Sequence, residues 1–174
     1  MTKPMNKTVL VVDDEDDVRL FLTTALIEAG FEVAQARDGL EALEIVKKQP
    51  PDLISLDLVM PKHSGVRFYH ELSKNKKWAS IPIIIVTGHA RDDLGKADLR
   101  ELTMSGPGIY LEKPVKPTNY IAAIKKLLCV EVTPEEDEAA ETVAIQNELK
   151  NLVDGADPAT LKKIKELLKG RSND

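Results

Sequence analysis

Paired carboxylates at Asp13-Asp14, a third at Asp57, a hydroxyl at Thr87 and an ammonium at Lys113 are the groups in this chain best suited to chemistry. Brought together, three carboxylates repel one another, and burying them without a counter-charge is costly. A divalent cation resolves that conflict. Oxygen-only ligands in a half-open site favour Mg2+, which keeps several waters and accepts phosphate oxygens as further ligands. A carboxylate in such a setting is a nucleophile toward phosphoryl groups, forming an aspartyl-phosphate. The compact charge of Lys113 suits pairing with phosphoryl oxygens.

These residues share a position in the pattern. Val9-Leu10-Val11-Val12 runs into Asp13-Asp14, and Leu53-Ile54-Ser55-Leu56 runs into Asp57. Ile83-Ile84-Ile85-Val86 runs into Thr87-Gly88, and Ile109-Tyr110-Leu111-Glu112 into Lys113-Pro114. Short β-branched runs separated by helical stretches read as parallel strands, and ligands bind just beyond the carboxyl ends of such strands. The spacing predicts strands at Thr8–Val12, Glu32–Ala36, a third ending at Asp57, Ile83–Val86 and about Ile109–Leu111. Helices are expected from about Glu15 to Ala29, from an Asp38 cap to Pro50, from about Ser64 to Asn75, around Gly95, and from Pro117 to Leu128. Val18, Leu22, Ala25, Leu26 and Ala29 form the apolar face of the first, and Leu40, Leu43 and Val46 that of the second. The fold class is α/β, a doubly wound five-stranded parallel sheet with five helices on both faces.

Asp13-Asp14, Asp57 with Met60-Pro61, Thr87, and Tyr110 three places before Lys113-Pro114 occur in an order and spacing that resemble the receiver domains of bacterial two-component response regulators. The resemblance covers roughly Lys7 to Cys129, a receiver domain over 1–130, and leaves 131–174 as a helical extension outside it. It implies strand order 2-1-3-4-5 and Asp57 as the phosphorylated residue. It implies Asp14, Asp57 and the Val59 carbonyl as Mg2+ ligands, with Asp13 acting through water. Lys113 would bind the phosphoryl oxygens, and Thr87 and Tyr110 would form a switch in which Tyr110 swings from exposed to buried. The Lys113–Pro114 bond would be cis. Thr87 and Lys113 lie 26 residues apart, a few more than the family usually has, with the excess near Ser105-Gly106-Pro107-Gly108. The intervening helix is therefore expected to be shortened, bent or shifted, which sets dimerisation through that surface apart from the family's habit. An apolar Val59, with His89 on the other side, would not orient attacking water, so a persistent phosphoryl group is expected.

The rest of the composition narrows the partners. A net charge of −5 and a pI near 5.3 argue against a generic nucleic-acid or anionic-membrane binder. Cys129 is the single cysteine, which fits a reducing compartment, and neither a signal peptide nor a bilayer-spanning stretch is apparent, so a cytoplasmic location is expected. The tail has a capping-box start at Thr133-Pro134-Glu135-Glu136, a helix running to Gly155, and a second from Asp157-Pro158 to Gly170 with Leu161, Ile164, Leu167 and Leu168 as its stripe. Neither helix has enough apolar surface to stand alone. The acidic Glu15, Asp16 and Asp17 read as a helix start favoured by the macrodipole.

The leading functional reading is a phosphorylation-controlled receiver served by a histidine kinase or phosphotransfer protein, with an output to a downstream protein or to a second copy of the chain in a homodimer. It is not an enzyme acting on an external metabolite. The alternative is a DNA-binding transcriptional regulator using the basic last helix (Lys162, Lys163, Lys165, Lys169, Arg171). Against it, Glu131 to Glu148 holds seven acidic residues and no basic ones, and no helix-turn-helix signature is present. An aspartyl-nucleophile phosphatase fits worse, because Val18 stands where that chemistry wants Thr.

Overall fold

A computed structural model describes residues 5–61, 65–88 and 108–170. Strands β1 (Thr8–Val12), β2 (Glu32–Ala36), β3 (Leu53–Leu56), β4 (Ile83–Thr87) and β5 (Gly108–Glu112) form one parallel sheet in the order β2-β1-β3-β4-β5. Six helices occur among the described residues: α1 (Asp16–Glu28), α2 (Gly39–Lys48), α3 (Gly65–Lys74), α4 (Pro117–Leu127), α5 (Pro134–Gly155) and α6 (Pro158–Gly170). The helix expected around Gly95 lies outside the described residues, as do His63, His89 and Ser105-Gly106-Pro107.

Side chains of a strand alternate between faces, and this sheet is buried on both. Val9, Val11, Ile84, Val86 and Leu111 pack with Leu22 and Leu26 of α1 and with Tyr120, Ile121 and Ile124 of α4. Leu10, Val12, Ile54, Leu56, Ile85 and Tyr110 pack with Ala42 and Val46 of α2 and Phe68 and Leu72 of α3. Burial on both faces explains why the central strands read as unbroken apolar runs. Among the described residues no helix is long and apolar enough to cross a membrane.

Local chemistry sets where the helices begin and end. The Asp38 carboxylate accepts from the Glu41 N–H at 2.9 Å and opens α2. Gly30, at φ 93°, closes α1, with the Phe31 N–H donating back to the Leu26 carbonyl at 3.0 Å. At the end of α4 the same left-handed turn is made by a non-glycine residue, Cys129 at φ 52°, and the Val130 N–H reaches the Lys125 carbonyl at 3.0 Å. Pairing is reciprocal at the start of α5: Thr133 Oγ1 accepts from the Glu136 N–H while the Glu136 carboxylate accepts from the Thr133 N–H.

One sequence expectation fails on α2. Leu40 is exposed, not part of the apolar face, because the helix turns Gly39, Ala42 and Val46 inward with Leu43 at the margin. The tail divides. Ala140 and Val143 of α5 are buried against α4 and β5, while Ile145, Leu149 and Leu152 point outward. Lys125 of α4, itself buried, anchors Glu136 of α5 at 2.6 Å.

Candidate functional site

The carboxyl ends of β1 and β3 lie side by side because Val12 and Leu56 are in register. The residues that follow are fixed by the ladder: the Asp13 N–H donates to the Ala36 carbonyl at 3.1 Å, and the Asp57 N–H to the Val12 carbonyl at 2.9 Å. Asp13 and Asp57 are buried and Asp14 is half-buried, and one carboxylate oxygen from each lies within 4.8 Å of the others. Lys113, just past β5, enters this cluster from the side. Its Nζ stands 2.9 Å from Asp13 Oδ2, 2.9 Å from Asp57 Oδ2 and 3.0 Å from Glu15 Oε1. The remaining oxygens are held by backbone donors. Asp13 Oδ1 accepts from the Glu15 N–H at 2.9 Å, and Asp57 Oδ1 from the Val59 N–H at 3.0 Å. The Lys113–Pro114 peptide is cis.

The electrostatics follow from this crowding. Burial pushes the Asp13 carboxyl above its ordinary 3.8, and Asp57 adds to the push against the hydrogen bonds from Lys113 and Glu15. Burial by itself would lower Lys113, but its bonds to Asp13, Asp57 and Glu15 outweigh that and hold the ammonium above its ordinary 10.5. One ammonium cannot balance three carboxylates, so the pocket retains negative charge and an oxygen-only donor set. Both features fit a hard divalent cation.

Two residues of this site escaped the sequence reading. Glu15, taken as a helix-start charge alone, reaches across to Lys113. Gly65, at the start of α3, presses its backbone onto the Asp57 peptide. A Cβ there would stand 2.0 Å from the Asp57 carbonyl oxygen and 2.8 Å from Leu58 Cα. The α3 start thus packs directly against the candidate nucleophile's own backbone, and only glycine permits that approach.

Thr87 and Tyr110 lie on neighbouring strands, β4 and β5. Thr87 ends β4 in register with Glu112; its side chain lies outside the described atoms. Tyr110 is not at the carboxylate cluster. It sits three residues before Lys113 on the outermost strand, buried, with Ile85 as its partner in β4. Val59 is half-buried, with its N–H turned to Asp57.

Comparison with known proteins identifies the family. The family model described as the response regulator receiver domain matches residues 9–125. The chain is 34% identical over 125 residues to the polar-differentiation response regulator DivK of Brucella ovis, covering 71% of this chain and 98% of that protein. It is 33% identical over 124 residues to the phosphate regulon transcriptional regulatory protein PhoB of Pseudomonas aeruginosa, where the match spans 52% of that longer protein. Among solved structures, a putative response regulator from Chloroflexus aurantiacus superposes with TM-score 0.63 at 29% identity, covering 73% of this chain and 99% of that one. The chemotaxis protein CheY4 of Vibrio cholerae gives 0.61 at 27%, over 70% of this chain and 98% of that one.

Proposed function

The chain belongs to the response regulator receiver family, and from that premise we propose that it accepts a phosphoryl group on Asp57 from a histidine kinase or a phosphotransfer protein. The observation that carries this reading is the Asp57 carboxylate, buried beside Asp13 and Asp14 and touched at 2.9 Å by Lys113. In the proposed step an Asp57 oxygen attacks phosphorus, the bond from phosphorus to the donor breaks, and its electron pair leaves with the donor group. An acyl phosphate remains.

The residues divide the work. The Val59 N–H holds one Asp57 oxygen in place, and Lys113, already beside the other, pairs with the transferred phosphoryl oxygens. Asp13, Asp14 and Asp57, with the Val59 carbonyl, are the groups that would hold Mg2+. When bound, Mg2+ supplies the positive charge that lets two anionic reactants approach. The α3 start, packed on the Asp57 backbone through Gly65, keeps the nucleophile from shifting.

In this reading Thr87 and Tyr110 transmit the event. A phosphoryl group on Asp57 favours the buried position of Tyr110, the one seen here. The receiver spans 1–130, and the output is a protein contact made in the cytoplasm, modulated by the extension 131–174. The protein acts on its own aspartate and does not turn over an external metabolite. With Val59 apolar, the phosphoryl group persists; rapid loss, unaffected by changes at Val59 or His89, would contradict that point.

The test is incubation with acetyl phosphate and Mg2+, followed by intact-mass measurement. A single phosphoryl adduct that needs Mg2+ and disappears in Asp57→Ala supports the reading. No adduct in the wild type, from acetyl phosphate or from a phosphohistidine donor, overturns it.

A further inference from the structure

β5 is an edge strand, and an edge leaves backbone N–H and C=O groups without a sheet partner. At Tyr110 those groups are taken by a side chain from the tail. The Tyr110 N–H donates to Asn147 Oδ1 at 2.9 Å, and Asn147 Nδ2 donates to the Tyr110 carbonyl at 3.0 Å. One amide thus imitates the two bonds a neighbouring strand would make. Asn147 is itself oriented by a bond from Nδ2 to the Val143 carbonyl one turn earlier, at 2.8 Å. One turn later, Lys150 Nζ lies 3.7 Å from the centroid of the Tyr110 ring, a cation–π contact, and 3.9 Å from Glu112 Oε2.

The grip is specific to one residue. Helix α5 presents Glu136, Ala140, Val143, Asn147 and Lys150 on one face, at spacings of three and four. The first three dock the helix through the Lys125 pair and apolar contact. Asparagine is a poor helix-interior residue, and packing alone does not require an amide at 147. The strand it holds continues directly to Lys113 at the carboxylate cluster.

We propose that Asn147 and Lys150 are positioning residues that hold Tyr110 in its buried state, so that docking of α5 and phosphorylation of Asp57 reinforce each other. This rests on the function proposed above, because it takes Tyr110 as the element that responds to the phosphoryl group. The tail is then a ligand carried in the same chain, selecting one of two receiver states. Linkage requires reciprocity: whatever factor α5 docking adds to phosphorylation, phosphorylation adds to α5 docking.

The experiment uses the full chain with acetyl phosphate and Mg2+, read by hydrogen–deuterium exchange of α5 and β5 peptides and by intact mass. The expected result is exchange in α5 slowed about fivefold or more on phosphorylation, with no change in Asp57→Ala. Asn147→Ala should lose that slowing and carry less adduct at a fixed donor concentration. Lys150→Gln, which leaves the amide bonds in place, should do both more weakly. A merely structural Asn147 would loosen α5 equally with and without the phosphoryl group. An adduct that forms while α5 exchange stays equal or quickens overturns the coupling and leaves the phosphoacceptor reading intact. Absence of an adduct in the wild type defeats the phosphoacceptor reading, and the coupling with it.

Discussion

Replacing Gly65 with alanine should damage both the stability and the chemistry of this protein, although Gly65 touches no phosphoryl group. The added Cβ would lie 2.0 Å from the Asp57 carbonyl oxygen, 2.8 Å from Leu58 Cα and 2.9 Å from the Asp57 carbonyl carbon. All three are backbone atoms, so no side-chain rotation relieves the overlap, and an ordinary contact requires a shift of more than about 1 Å in α3 or in the Asp57–Leu58 peptide. Overpacking of a tight interior costs about 1–3 kcal/mol, and a clash with backbone atoms alone belongs at the upper end, about 3 kcal/mol. For a chain of this size that corresponds to a fall in melting temperature of about 6–12 °C. If the Asp57 peptide takes the displacement, its carboxylate leaves the 2.9 Å contact with Lys113, and a misplacement of that size costs about 100-fold in rate. Urea denaturation gives the first quantity, and the rate of adduct formation from acetyl phosphate gives the second. A Gly65→Ala protein with wild-type stability and wild-type rate would refute the argument that α3 is seated on the nucleophile's backbone.

Four further outcomes follow from the same contacts. Mg2+ should stabilise the wild type by RT ln(1 + [Mg2+]/Kd), about 2.7 kcal/mol at a hundredfold excess over Kd, and Asp14→Asn or Asp57→Asn should abolish that gain in thermal melts. Docking of α5 should weaken in acid. Burial opposes charge on Glu136, but the Lys125 ammonium and the Thr133 N–H outweigh it and hold its carboxyl below the ordinary 4.5. A depressed carboxyl contributes stability above 4.5 that is lost as pH falls through its folded value, so α5 exchange, corrected for intrinsic rates, should quicken there, and Glu136→Gln should remove that pH dependence. Cys129→Gly should stabilise the chain by about 1 kcal/mol, because φ 52° is a left-handed conformation that costs a side-chain-bearing residue about that much; an unchanged or lower urea midpoint would contradict this. Lys113→Gln should leave Asp13 and Asp57 without their ammonium and sharply reduce adduct formation while the chain still binds Mg2+, measured by calorimetry.

Much of this was legible in the sequence, for a reason that has to do with strands. Asp13, Asp57 and Lys113 each follow an apolar run, and the ends of parallel strands meet at one edge of the sheet, so position in the pattern translated into position in space. The helix caps at Asp38 and Thr133 were legible because their bonds span three residues. Glu15 was not, since its partner Lys113 is 98 residues away. Gly65 was not legible either, because its role is to let one backbone lie on another, which no spacing records. Leu40 misled because periodicity marks a stripe without saying how far the helix is rotated toward the sheet. The tail showed its two helices and hid its attachment. A lone asparagine inside a helix was the available signal, but nothing in the pattern named Tyr110 as what it holds.

The most direct test of the central claim is to locate the phosphoryl group. The wild-type chain would be treated with acetyl phosphate and Mg2+, the acyl phosphate trapped by borohydride reduction, and the site read by peptide fragmentation. Modification at residue 57 alone is the result this account requires. Modification elsewhere with Asp57 untouched, or an unmodified chain under conditions that phosphorylate a control receiver, would contradict it.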